Sequence, residues 1–175
     1  EIKDALSYLR MVVYRDDLSF RRIANTPRRN LGKSRMARLE AYAAEKRCSL
    51  YTALCANIDM PEFKTTKGRQ FISLVESFAA GQAARPISEV LSELLDRSGY
   101  ETMLRTEGSQ ERLDNLAELK QSIYEYETTC GEESTPEAYL ARVALMTNTD
   151  TAARGDRVKL MTVHAAKGLE FPYVF

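Results

Sequence analysis

Apolar residues return at every third or fourth position along most of this chain. Ile2, Ala5, Leu6, Leu9, Val12 and Val13 form the first such stripe, which predicts a helix with one face on a core. Asp16 and Asp17 then offer a cap. Leu18, Phe20 and Ile23 start a second, short helix that must end near Thr26, because Pro27 disfavours helical geometry in the residue before it. Pro27 to Ser34 reads as a turn, in which Gly32 and Asn30 tolerate positive φ better than most residues. Met36, Leu39, Tyr42 and Ala43 mark the inner face of the next helix, and Ser49 caps a short one through Leu54 and Ile58. Pro61 and Gly68 bracket a polar connection. Phe71, Ile72, Val75 and Phe78 predict a helix ending near Gly81, and Ile87, Val90, Leu91, Leu94 and Leu95 a strong one that stops at Gly99. Tyr100 to Leu104 gives a turn or two. Leu113, Leu116, Ala117, Ile123 and Tyr124 then predict a long helix of about twenty residues. Thr135-Pro136-Glu137 supplies a cap, a proline at the first position and an acid in the first turn of a last helix.

After Met146 the pattern changes. Residues 147–155 are polar and helix-poor, Val158 to His164 alternates with β-branched residues, and Phe171 to Phe175 is apolar again. This reads as strand, connection and strand. Two strands cannot make a stable sheet without further partners. The expected fold is therefore mainly α: a multi-helix unit over residues 1–150, and a short β strand–loop–strand over 151–175 that belongs to a second domain. The chain opens on Glu1 rather than Met, so it reads as a piece of a longer protein.

Composition narrows the class. Of 175 residues, 44% are hydrophobic and 29% charged, with 8 Gly and 5 Pro. That is a globular balance and excludes collagen-like or low-complexity chains. No apolar run is long enough for a membrane span. Three cysteines, Cys48, Cys55 and Cys130, are irregularly spaced and far from the single His. The expectation is free thiols in a reducing cytoplasm, without a disulfide framework or a metal site.

Net charge is zero, yet the charge is unevenly spread. From Arg10 to Arg47 eleven Lys/Arg face four acids, a surplus of seven positive charges. From Ile87 to Leu140 thirteen acids face four bases, a surplus of nine negative ones. A polyanion is drawn to the first region and repelled by the second. Within the basic region, Gly32-Lys33-Ser34 is not a phosphate loop: that pattern needs a Gly at position 27, where Pro27 stands, and a preceding strand. A short helix, a Gly-containing turn and a second helix do resemble a helix-hairpin-helix, which offers backbone N–H groups to DNA phosphates without reading bases. Arg28, Arg29, Lys33 and Arg35 surround that turn. The bland alternative is an ordinary helix connection with solvated arginines. The lone His164 has no Cys, Asp or Ser at a spacing that would make a metal site or a triad.

The closing run Leu160-Met161-Thr162-Val163-His164-Ala165-Ala166-Lys167-Gly168-Leu169-Glu170-Phe171 resembles motif V of the UvrD/PcrA/Rep-type superfamily 1 DNA helicases. Glu1 to Ala5, Asn25-Thr26-Pro27-Arg28-Arg29-Asn30-Leu31-Gly32 and Arg112 to Leu119 resemble further stretches of the same family, in the family's order. The resemblance implies a helical 2B-like subdomain followed by a return into a RecA-like 2A domain. It implies a whole protein that hydrolyses ATP, with Mg, to move 3′ to 5′ on single-stranded DNA. By the family's pattern, Thr162 and His164 lie along the single strand, and Gly168 and Glu170 lie towards the nucleotide. Asn30, Leu31 and Gly32 map to the 2B turn that meets duplex phosphates. Here the chain departs: the family's first Gly is Asn30, whose side chain stands where backbone would approach a phosphate.

The expected function is thus a duplex-contacting, regulatory subdomain of a helicase, with the other helicase subdomains as partners. The DNA-facing set is Arg28, Arg29, Asn30, Leu31, Gly32, Lys33 and Arg35, with Thr162 and His164 on the single strand. Without a phosphate loop, this piece alone is expected to bind no ATP or Mg and to be inactive. The alternative is a protein-interaction module of a DNA repair factor, in which the acidic helices recruit a partner and DNA contact is incidental.

Overall fold

The computed structural model of the chain describes residues 1–79, 85–131, 134–145, 161–162 and 166–167. It divides into two compact units, Glu1–Ala144 and Leu145–Phe175. The first is built from α1 (Ile2–Val13), α2 (Asp17–Ile23), α3 (Lys33–Lys46), α4 (Leu50–Asn57), α5 (Pro61–Lys64), α6 (Gly68–Ala79), α7 (Ile87–Arg97), α8 (Tyr100–Thr106), α9 (Gln110–Cys130) and α10 (Pro136–Leu145), whose last residue opens the second unit. α1 is the hub and packs on α2, α6, α7 and α9, while α3, α4 and α6 close one side and α8 and α9 the other. Its stripe of Ala5, Tyr8, Leu9, Met11 and Val12 is buried against Phe20, Phe71, Leu91, Leu94 and Tyr100 in one continuous core.

The caps follow local chemistry. Asp16 accepts from the Ser19 amide at 2.9 Å and opens α2, Ser49 accepts from the Thr52 amide at 3.1 Å and opens α4, and Thr135 accepts from the Ala138 amide at 3.1 Å and opens α10. α7 starts behind Pro86, which offers no side-chain acceptor. Glu127 of α9 supplies it from a distance, taking the Ile87 and Ser88 amides and the Ser88 hydroxyl. Gly99, at φ 78, makes the left-handed step between α7 and α8.

Three expectations are corrected. The described residues contain helices and no strand, so the C-terminal strand–loop–strand is overturned while the mainly α class stands. Met161 and Thr162, placed in the first strand by alternation, have no regular structure, and the Thr162 carbonyl accepts a helix-type bond from the Ala166 amide at 3.0 Å. A lone strand needs a neighbour for its N–H and C=O groups, and a local turn needs none. The rest of that segment, including Phe171 to Phe175, lies outside the described residues, as does the helix end near Gly81. Leu18 and Tyr124 do not belong to the core: they are 77% and 58% exposed. Lastly, the polar connection after Pro61 holds a short helix, α5, pinned by the buried Phe63.

Leu94 is fully buried. Leu94→Ala should cost about 3 kcal/mol of stability, read by urea denaturation, because the packed surroundings cannot close the void. Asp16→Ala should cost about 1 kcal/mol at neutral pH. Burial raises the Asp16 carboxyl, but the Ser19 amide and hydroxyl and the Arg10 guanidinium outweigh it and hold the group below its ordinary value. Its contribution is therefore present above the ordinary carboxylate range and lost as pH falls through the lowered native value. The two proteins should converge in stability in strong acid.

Candidate nucleic-acid interface

The basic turn lies between α2 and α3. Its path is set first by Asn25, whose side-chain carbonyl accepts the amides of Arg29 at 2.9 Å and Leu31 at 3.0 Å. The Thr26–Pro27 peptide is cis, and Asn30 takes the left-handed conformation at φ 61. Leu31 is buried and anchors the turn in the core. Gly32 is the N-cap of α3 at φ −74 and ψ −174, extended backbone open to any residue. The positive φ thus falls on Asn30, where the resembling family has its first Gly, and not on Gly32. A Cβ built on Gly32 would meet nothing within 4 Å. Gly32 also has no side chain with which to cap the first amides of α3.

The seven residues expected to face DNA separate into different environments. Arg28 and Lys33 are exposed, and among the described residues their side chains have no hydrogen-bond or ion-pair partner. Arg35 is half-buried and braced: it donates to the carbonyls of Glu62 at 2.7 Å and Asn30 at 2.9 Å, and to the Thr65 hydroxyl at 3.2 Å. Arg29 is turned inward and only 5% exposed. Asn30 and Gly32 are exposed at the surface, with Leu31 beneath them. Thr162 is exposed in the second unit, and His164, Gly168 and Glu170 lie outside the described residues. Gly32-Lys33-Ser34 opens α3 behind a helix and a turn, so the strand context of a phosphate loop is missing there. Among the described residues no three His, Cys, Asp or Glu side chains group closely enough to hold a metal ion.

Much of the positive surplus counted in the sequence is spent internally. Arg10 pairs with Asp16, Arg15 with Glu76, Arg21 with Glu40, Arg22 with Asp4, Arg38 with Glu62 and Lys46 with Glu45. Of that surplus, among the described residues, Arg28 and Lys33 remain open at the turn and Arg47 at the far end of α3. A groove of about 1060 Å³ is lined by Pro27, Arg28, Lys64 and Lys67, together with Arg69, which pairs with Asp59, and Arg97, which pairs with Glu93. Phe71, Leu74 and Met103 also line it, and Asp96 and Glu107 are its acids. Lys64 and Lys67 are exposed cations of the α5–α6 junction. Sequence reasoning passed over them because residues 61–68 read only as a polar connection. The signal was there: Lys64, Lys67 and Arg69 put three cations within six residues.

Residues 1–175, the whole chain, match the UvrD-like helicase C-terminal domain. The chain belongs to that family. It is 38% identical over 183 aligned positions to the ATP-dependent DNA helicase PcrA of Staphylococcus epidermidis (strain ATCC 35984), covering 100% of this chain and 25% of that protein. It is 37% identical over 182 positions to the ATP-dependent DNA helicase PcrA of Staphylococcus aureus (strain Mu50), with the same coverage of each. The chain therefore spans about a quarter of the length of the curated relatives it matches.

In this UvrD-like chain the left-handed residue of the α2–α3 turn is Asn30. Asn30→Val should destabilise the fold by about 1–2 kcal/mol, because a β-branched residue is strained in that conformation. Asn30→Gly should leave the melting temperature nearly unchanged.

Proposed function

We propose that the helical unit is a duplex-DNA-contacting part of an ATP-dependent DNA helicase, and that the α2–α3 turn with the adjoining groove grips phosphates without reading bases. One observation carries the reading: Gly32 sits at an exposed helix start where neither backbone conformation nor neighbouring atoms require a glycine. A glycine is useful there if an outside group must approach the backbone closely. The unpartnered Arg28 and Lys33 on either side, and Lys64 and Lys67 along the groove, supply charge for a polyanion. Arg35, braced against Asn30 and Glu62, acts as a support for the turn. Family membership and the likeness to PcrA helicases support the nucleic-acid class.

In the whole protein, Thr162 and His164 face the single strand, where a hydroxyl and an imidazole can donate to phosphate oxygens. Gly168 and Glu170 lie towards ATP, whose Mg complex supplies the energy of translocation. The other subdomains of the helicase are the partners of this one, and the unit tunes unwinding through its hold on the duplex.

Two variants of the full chain test the duplex contact by fluorescence anisotropy over a salt series. Arg28→Gln should weaken duplex binding for every sequence alike and reduce the slope of log affinity against log salt by about 1. Gly32→Ala should change stability by no more than about 1 kcal/mol yet weaken duplex binding clearly. Native affinity and slope in both variants would refute the reading.

A further inference from the structure

We propose that Arg29 is the positioning residue of the phosphate-binding turn: its buried guanidinium, which does not face outward, holds residues 23–27 in the path that presents Arg28 and the α3 amides. This rests on the reading that the turn meets duplex phosphates.

The argument begins with the donors. One guanidinium nitrogen donates to the carbonyls of Ile23 at 2.8 Å and Thr26 at 3.1 Å, with Ala24 and Pro27 each at 3.4 Å. The other donates to the Tyr8 hydroxyl at 2.7 Å and the Ser98 carbonyl at 3.3 Å. The Tyr8 hydroxyl in turn donates to the Thr26 carbonyl. Burial pushes the Tyr8 phenol up despite the cation beside it, so it remains an O–H donor. The guanidinium also lies over the Phe71 ring, 4.9 Å from its centroid. The Arg29 backbone adds two ties, its amide to Asn25 at 2.9 Å and its carbonyl to the Lys67 amide at 3.0 Å. Arg29 therefore fastens the turn to α1, to the end of α7 and to the α5–α6 junction at once. Arg28 is one peptide bond away and inherits that placement.

A lysine cannot copy this. Its ammonium is a point donor on a flexible stem, whereas the acceptors of Arg29 lie on two sides of a planar fork. Charge and geometry can therefore be separated. Arg29→Lys keeps the charge and loses the fork, and Arg29→Gln loses both.

The test measures duplex affinity of the full chain for Arg29→Lys, Arg29→Gln, Tyr8→Phe and Arg28→Gln, at a temperature where circular dichroism shows each to be folded. Positioning predicts that Arg29→Lys loses about tenfold in affinity, close to the loss in Arg29→Gln, and that Tyr8→Phe, with all charges intact, loses severalfold. Arg29→Lys near native with Arg29→Gln weak would make Arg29 a charge contact and overturn the proposal. Native affinity in both folded Arg29 variants, whatever their melting temperatures, would make it purely structural and overturn it equally. Should Arg29→Lys not fold, Tyr8→Phe decides, with native affinity there counting against positioning. Arg28→Gln separates the two levels: if it too binds duplex with native affinity and salt slope, the phosphate-turn reading fails, whereas a loss there with none at Arg29 sinks only the positioning role.

Discussion

A buried cation with no carboxylate partner among the described residues sits beside the α2–α3 turn, and the structure around it depends on how it is satisfied. Removing a guanidinium from water is expensive unless each donor finds an acceptor. Arg29 finds them at two helix ends. The carbonyls of Ile23 and Ala24 are the last of α2, and that of Ser98 follows α7. Such carbonyls lack partners within their own helices and carry the negative end of the helix dipole. Two helices are thereby closed by one side chain, and α1 joins through Tyr8. α2 ends in a turn in which the Ile23 carbonyl also takes the Thr26 amide at 3.0 Å, and the guanidinium adds to that closure just before Pro27.

The same logic sorts the remaining arginines. A surplus of seven positive charges in the sequence suggests a broad basic face. Folding reduces it to a small one, because acids from distant positions come to meet the arginines: Asp4 reaches Arg22, Glu62 reaches Arg38 and Glu76 reaches Arg15. Exposed pairs of this sort contribute little stability each. Their larger effect is on the shape of the field, since paired charges no longer attract a polyanion at a distance. The open cations that remain include Arg28 and Lys33 at the turn and Lys64 and Lys67 by the groove, a smaller set to offer a ligand whose charges repeat along a backbone.

The helical pattern was legible because its cause is local. Stripes such as Ile87, Val90, Leu91, Leu94 and Leu95 face the core as their spacing requires, and Ser49 and Thr135 cap where their side chains permit. The misreadings arose where the outcome was non-local. Leu18 and Tyr124 fit their helical stripes yet project beyond the surfaces that α2 and α9 bury. The alternation around Thr162 suggests a strand, but pairing depends on a partner edge, and the Thr162 carbonyl takes the Ala166 amide instead. Arg29 reads as one more basic residue in a basic run. Its inward direction follows from Tyr8, Phe71 and Ser98, which lie 21, 42 and 69 residues away and are brought to it only by the packing of α1, α6 and α7.

Asn30 and Gly32 divide the work of the turn between them. The left-handed step needs a residue that tolerates positive φ, and Asn does so at modest cost. Its amide also reaches towards the Thr65 carbonyl at 3.5 Å, which directs the side chain to α5 and away from Gly32. The backbone at Gly32 consequently stays bare, with open space where a Cβ would stand. The Arg29 carbonyl takes the Lys67 amide, so the turn and the groove wall share a hydrogen bond and are held in fixed register. In the proposed reading, a duplex backbone therefore meets a surface whose turn and groove wall are already tied to each other. In energetic terms, the entropy of fixing that surface is met during folding, which leaves more of the electrostatic attraction for binding.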